Sequence, residues 1–198
     1  MSDTAFTLSP MTIAEVPRPT AAEPAPDRAL EDGALDDSAA VETARRTIRR
    51  KTARAVLLDH HGRVLLLDRP AKIRDVGDRY FHTPGGAIEP GETPAEAAAR
   101  ELAEELDFQT APSELGTPVA TCYSLQQRIA TGEFVAADDV FFLLRTDAAR
   151  TPAATPHAWL DPDAMDAAPA RILPRGLADL VRRLLAEGPP LTPIHIRW

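Results

Sequence analysis

The sequence predicts one folded domain of mixed α and β structure behind an acidic tail, and three observations carry that expectation. Short apolar, β-branched and leucine-rich runs recur between turn signals, as strands do. Two segments, 94–106 and 176–188, repeat their apolar residues at helical spacing instead. Strands and helices alternate irregularly and no internal repeat is present, which argues against a regular βαβ series. The 198 residues, 44% of them apolar, suffice for one sizeable core.

Residues 1–45 are rich in Pro, Ala, Asp and Glu (Pro17, Pro19, Pro24, Pro26, Asp27, Glu31, Asp32, Asp36, Asp37) and lack a sustained apolar period. Such a segment buries too little surface to offset the entropy of ordering, so a disordered acidic tail is expected there and the fold is expected within 46–198. "ARRTIRRKTAR", 44–54, is a basic run, read as a solvated lead-in beside the tail in preference to a phosphate patch. "ARAVLLD" and "RVLLLD" flank "HHG" and read as a hairpin. Residues 68–79 read as a polar loop, followed by "YFHT". "PVATCYSLQQRIA" and "DVFFLLR" read as strands joined through the turn "TGE" at 131–133, and "HAWLDPDAM" as an edge strand passing into a helix start. In "GLADLVRRLLAEG", 176–188, Leu177, Leu180, Val181 and Leu184 share one face and a glycine closes the helix.

A formal net charge of -8 and a pI near 5.1 remove the basic excess that binds nucleic-acid phosphates, so nucleic acid is not an expected partner. A polyanionic ligand would need a local positive site or a metal. Cys122 is the single cysteine, which excludes an internal disulfide and fits a reducing compartment. No apolar run approaches about 18 residues and the N-terminus lacks a signal-peptide pattern, so a soluble cytoplasmic protein with no membrane partner is expected.

The segment 84–106, "PGGAIEPGETPAEAAARELAEEL", crowds glutamates that repel one another unless something positive sits among them. Thr93 and Glu96 form a capping box and Pro94 takes the first helical position, which predicts a helix from about 94 to 106. On it Glu101, Glu104 and Glu105 fall within an arc of about 100°, opposite Ala95, Ala99, Leu102 and Leu106. Glu104 and Glu105 lie in the last turn, where the helix dipole disfavours negative charge by a few tenths to about 1 kcal/mol each. Ala97 and Ala98, one turn back, are expected to leave that face open. The paired glycines before the helix allow unusual backbone angles and close approach to a ligand. Several carboxylates with a backbone carbonyl are hard oxygen ligands of the kind Mg²⁺ or Mn²⁺ selects.

From Gly86 to Phe108 this segment resembles the signature of the Nudix hydrolases, GX5EX7REUXEEXGU with U a bulky apolar residue. Gly86, Glu92, Arg100, Glu101, Leu102, Glu104, Glu105 and Phe108 fit it, and Asp107 stands where the family has glycine. The resemblance implies an α/β/α sandwich with a mixed β-sheet and Mg²⁺- or Mn²⁺-dependent hydrolysis of a nucleoside diphosphate linked to another group X. Glu101, Glu104, Glu105 and the Gly86 carbonyl would be metal ligands. Glu92 and Arg100 would complete the catalytic set as a bracing ion pair. The general base would be Glu101 or Glu104, or an acid from another loop, for which Glu133, Asp138 and Asp139 are available. Arg69, Arg74 and Arg79, with Lys72, are candidates to grip phosphates; Tyr80, Phe81, Tyr123 and Trp159 stack on a base or pack. A non-catalytic nucleotide sensor and a diphosphate isomerase using Cys122 are the alternatives, and a homodimer is left open.

Overall fold

The computed structural model of the chain describes residues 47–146 and 155–198, and the expected acidic tail lies outside them. The strand β1 (Thr47–Leu58) runs parallel to β6 (Phe134–Arg145) along its whole length, from Thr47 beside Phe134 to Leu58 beside Arg145. The basic run is therefore largely a strand and not a solvated lead-in. Pairing with β6 satisfies its backbone while Arg49, Arg50 and Lys51 stay exposed. The same pairing carries β6 further back than the apolar run suggested, so Asp138 and Asp139 lie within the strand and not in a turn before it.

The chain continues through β2 (Val64–Pro70), β3 (Arg79–His82), β4 (Gly85–Ala87), α1 (Pro94–Leu106), a 3₁₀ turn (Pro112–Leu115) and β5 (Ala120–Gln127). After β6 come β7 (His157–Leu160), α2 (Pro162–Ala167), β8 (Arg171–Leu173), α3 (Leu177–Glu187) and β9 (Ile194–His195). The sheet order is β8-β3-β2-β1-β6-β5-β9, with β4 on β1 and β7 on β2. The predicted hairpin closes through Asp59, whose carboxylate accepts from the N–H groups of His61 (2.9 Å) and Arg63 (2.8 Å) and from Arg63 Nε (2.8 Å). Burial pushes this carboxyl up, but those hydrogen bonds outweigh it and hold Asp59 below its usual range.

Both faces of the central strands are covered, which is why they read as continuous apolar runs. Ala53, Ala55 and Leu57 of β1 with Leu65 and Leu67 of β2 pack against α1 through Ala97, Ala98, Leu102 and Leu106. Val56, Leu58, Val64 and Leu66 point the other way, onto Leu177, Leu180, Val181 and Leu184 of α3. β1 and β2 register at Leu58 and Val64, and from there take different neighbours: β4 and β6 for β1, β3 and β7 for β2. The loop 71–78 ties the two groups of strands together again at the far end. Ile129 N–H donates to Lys72 O (3.0 Å) and Arg74 N–H to Gln127 O (2.9 Å).

Candidate active site

The site is built on α1 and the turn before it. Thr93 Oγ1 accepts from the Glu96 N–H (3.3 Å) and Glu96 Oε2 accepts from the Thr93 N–H (2.7 Å), so the capping box forms as predicted with Pro94 in the first turn. The helix ends at Asp107, which adopts the left-handed conformation (φ 52°, ψ 30°) that glycine supplies in the signature. Its N–H closes on Ala103 O, and the N–H of the buried Phe108 reaches Leu102 O (3.2 Å). The departure from the signature is absorbed by an Asp cap. Ala97 and Ala98 are fully buried, contrary to the open face expected of them, because the apolar arc of the helix is wide enough to include them.

Two glycines set the approach of β4, and they answer to different neighbours. A Cβ at Gly85, whose φ is +134°, would stand 2.3 Å from Ala53 O and 2.6 Å from Arg54 Cα. At Gly86 a Cβ would meet the Glu101 carboxylate, with Oε1 at 2.2 Å and Oε2 at 2.8 Å. Gly85 is required by the backbone of β1; at Gly86 a side chain would displace the Glu101 carboxylate from its place.

Arg100 holds the glutamates in register. Its Nε and Nη2 grip Glu92 (2.8 and 3.1 Å), Nη1 reaches Glu101 (3.0 Å) and Glu104 (3.4 Å), and Nη2 also donates to Ala87 O (2.9 Å) in β4. The Arg100 bond and the Glu89 N–H hold the Glu92 carboxyl below its usual range, and Glu92 chiefly raises the guanidinium in return. Glu105 accepts from the Gly85 N–H (2.9 Å) and from Arg69 Nη2 (2.5 Å). Burial raises its carboxyl, and the Gly85 N–H and Arg69 only partly oppose that. Glu104 is the exposed member, with 58% of its side chain accessible. Among the described residues no three His, Cys, Asp or Glu side chains close on a common point.

A second charged group lies next to this corner; the sequence reading offered Asp139 as a candidate acid but missed its pairing with Arg54. Arg54 donates from Nε to Asp139 Oδ1 (2.8 Å) and from Nη1 to the carbonyls of Thr83 (3.2 Å) and Gly85 (3.3 Å). Thr52 Oγ1 donates to the same Asp139 oxygen. Asp139 Oδ2 and Thr83 Oγ1 are buried without a hydrogen-bond partner. Burial, with Arg54 beside it, drives the His82 imidazole down to about 3, so the ring is neutral; it stacks on Tyr80 with centroids 5.5 Å apart. An arginine inside an otherwise apolar strand, "ARAVLL", was the available signal, since such a charge is buried only with a partner.

The other expected residues disperse. Arg69 reaches the site through Glu105, Arg79 pairs with Asp68 (2.8 Å), and Arg74 lines a separate cavity. Glu133 is engaged at the hairpin end by Thr131 Oγ1 (2.8 Å) and Arg128 (3.6 Å), about 20 Å along β6 from Asp139. Asp138 is exposed while Asp139 is buried. Trp159 packs on the α1 core, Phe81 on the α3 core, and Tyr123 is half exposed. Cys122 is buried, and burial above all pushes its thiol up to about 12.

A family model described as the NUDIX domain matches residues 48–183. Among solved structures, the chain is similar to the E. coli ORF135 protein (23% identity, TM-score 0.46, covering 72% of this chain and 95% of that one). It is also similar to a MutT protein from Methanosarcina mazei Go1 (18%, 0.49, 73% and 98%) and to the C. elegans Ap4A hydrolase (21%, 0.45, 70% and 98%). No curated protein matches. The family model spans more than half of the chain and contains the whole glycine-to-phenylalanine signature, and the chain therefore belongs to the Nudix hydrolase family.

Proposed function

We propose that this Nudix pyrophosphohydrolase uses Mg²⁺ or Mn²⁺ to cleave the diphosphate of a nucleoside diphosphate linked to another group X. The observation that carries the reading is the corner where β4 meets α1. The Glu101 carboxylate lies against the Gly86 backbone, in the space a Cβ would take, and the neighbouring Gly85 N–H fixes Glu105. The donor set fits a hard divalent cation, since Glu101, Glu104, Glu105 and the Gly86 carbonyl offer only oxygen. When bound there, the cation would offset the charge of the diphosphate and lower the pKa of a water.

The rest of the chemistry belongs to the chain's own residues. Arg100 and Glu92 hold the helix against β4, so the glutamates keep their orientation. Arg69, already at Glu105, is placed to grip a phosphate oxygen. Glu104, exposed and touched among the described residues by Arg100 alone, is the carboxylate freest to accept the proton of the attacking water. Asp139 is buried with its Oδ1 held by Arg54 and Thr52, and Glu133 is engaged in its hairpin. The isomerase reading is disfavoured by Cys122, whose buried thiol is held far from ionisation. The sensor reading is disfavoured by intact carboxylates.

The test is release of phosphate or nucleotide from a panel of diphosphate-linked compounds with Mg²⁺ and Mn²⁺, using Glu105→Gln as the control. Turnover by the wild type, with a loss of at least about a hundredfold in the variant, is expected. Equal inactivity on every compound, with ligands still binding, would sink the hydrolase reading in favour of the sensor.

A further inference from the structure

Arg69, Tyr80 and Arg171 form a row across three strands. Arg69 of β2 registers with Tyr80 of β3, and Tyr80 registers with Arg171 of β8, so the three side chains leave the sheet on one face. Two strand spacings put Arg171 about 10 Å from Arg69. Tyr80 lies in the fields of Arg54, Arg69 and Glu105, which ties the near end of the row to the corner of β4 and α1.

At the far end Arg171 lines a cavity of about 180 Å³ together with Arg74, Arg175, Asp75, Gln126 and Trp198. None of these three arginines has an ion-pair partner among the described residues, whereas Arg54, Arg69, Arg79 and Arg100 each have one. Arginines scattered on a surface are ordinarily just solvated. Here three of them, from the loop 71–78, from β8 and from the turn before α3, line one concavity in which Asp75 is the single acidic residue, while Arg171 and Arg175 also border a neighbouring cavity beside Asp166. At about 180 Å³ the space falls below the roughly 300 Å³ at which small-molecule pockets begin, which favours a phosphate group over a base and sugar together. A multiply charged oxyanion can accept from several guanidinium forks at once.

We propose that Arg74, Arg171 and Arg175 form a second anion subsite, which takes a phosphate carried by X about 10 Å from the Arg69–Glu105 end of the row. The inference rests on the diphosphate-hydrolase reading and narrows it: the substrate class is a diphosphate-linked compound bearing an additional phosphate. The matched pairs NADP and NAD, and coenzyme A and dephospho-coenzyme A, each differ by one monophosphate.

Affinities for all four compounds are to be measured by calorimetry with Ca²⁺ in place of Mg²⁺. The wild type is expected to favour the phosphorylated member of at least one pair by about tenfold or more. Arg171→Ala/Arg175→Ala, with both changes at exposed positions, should reduce that preference to near one and leave affinity for the unphosphorylated member unchanged; Arg74→Ala should reduce it in part. Equal affinity within both pairs, no binding of any of the four, or a preference that survives the double substitution would overturn the subsite. A preference that appears and disappears as expected, in a protein that turns over nothing with Mg²⁺, would leave the subsite standing and remove the hydrolase reading.

Discussion

Arg100 and Arg182 each gather three carboxylates, and the resemblance ends there. Arg182 of α3 holds Asp163 (2.9 Å), Asp166 (2.5 Å) and Asp179 (3.4 Å), whose side chains are 94%, 60% and 76% exposed. Arg100 holds Glu92 and Glu101, at 20% and 16%, and reaches further to Glu104 and the Ala87 carbonyl. One cluster links the outer faces of α2 and α3 through solvent-exposed groups. The other ties a helix to the backbone of β4 at the point where Gly86 leaves room for Glu101. Charge pattern alone does not separate the two; the backbone contact and the glycines do.

The sharpest break in that arrangement comes from the backbone side. Gly85→Ala would drive a Cβ into Ala53 O and Arg54 Cα at a φ that L residues avoid, and we expect a loss of about 3–5 kcal/mol in denaturant unfolding. A loss below about 1 kcal/mol would mean that β4 is not held as described. Arg100→Ala comes next. Hydrolysis should fall by about 10- to 100-fold and stability by about 1–3 kcal/mol, and Arg100→Lys should recover little, since an ammonium cannot reproduce the fork on Glu92. Arg182→Ala is the smallest. It should cost less than about 1 kcal/mol and leave turnover unchanged, as exposed pairs do. If the two arginine variants lost activity equally, the distinction between the clusters would collapse.

How far the sequence could be read follows from the same contrast. The extent of α1 was legible because Thr93, Glu96 and Pro94 mark its start chemically, and the apolar spacing carries it to Leu106. The start of β1 was not, because Arg49, Arg50 and Lys51 look solvated and are solvated, while the partner that makes them a strand lies in β6. Short strands such as β4, β8 and β9 carry no period of their own and exist through their neighbours. In the site, the Glu92–Arg100 pair came from the family resemblance and not from any local pattern, and Arg54 with Asp139 is a contact between distant strands that no local pattern announces. Carboxylates at a helix C-terminus do not by themselves mark a ligand. Glu187 also ends a helix, and there Arg183 simply answers it at 2.9 Å.

The central proposal is that Glu101, Glu104 and Glu105 of α1 serve to hold a divalent cation. The most direct measurement is calorimetric titration of Mn²⁺ into the wild type, Glu105→Gln and Arg182→Ala. The account predicts binding by the wild type and by Arg182→Ala, weakened by at least about tenfold in Glu105→Gln. Absence of Mn²⁺ binding in the wild type, or equal binding by Glu105→Gln, would contradict it.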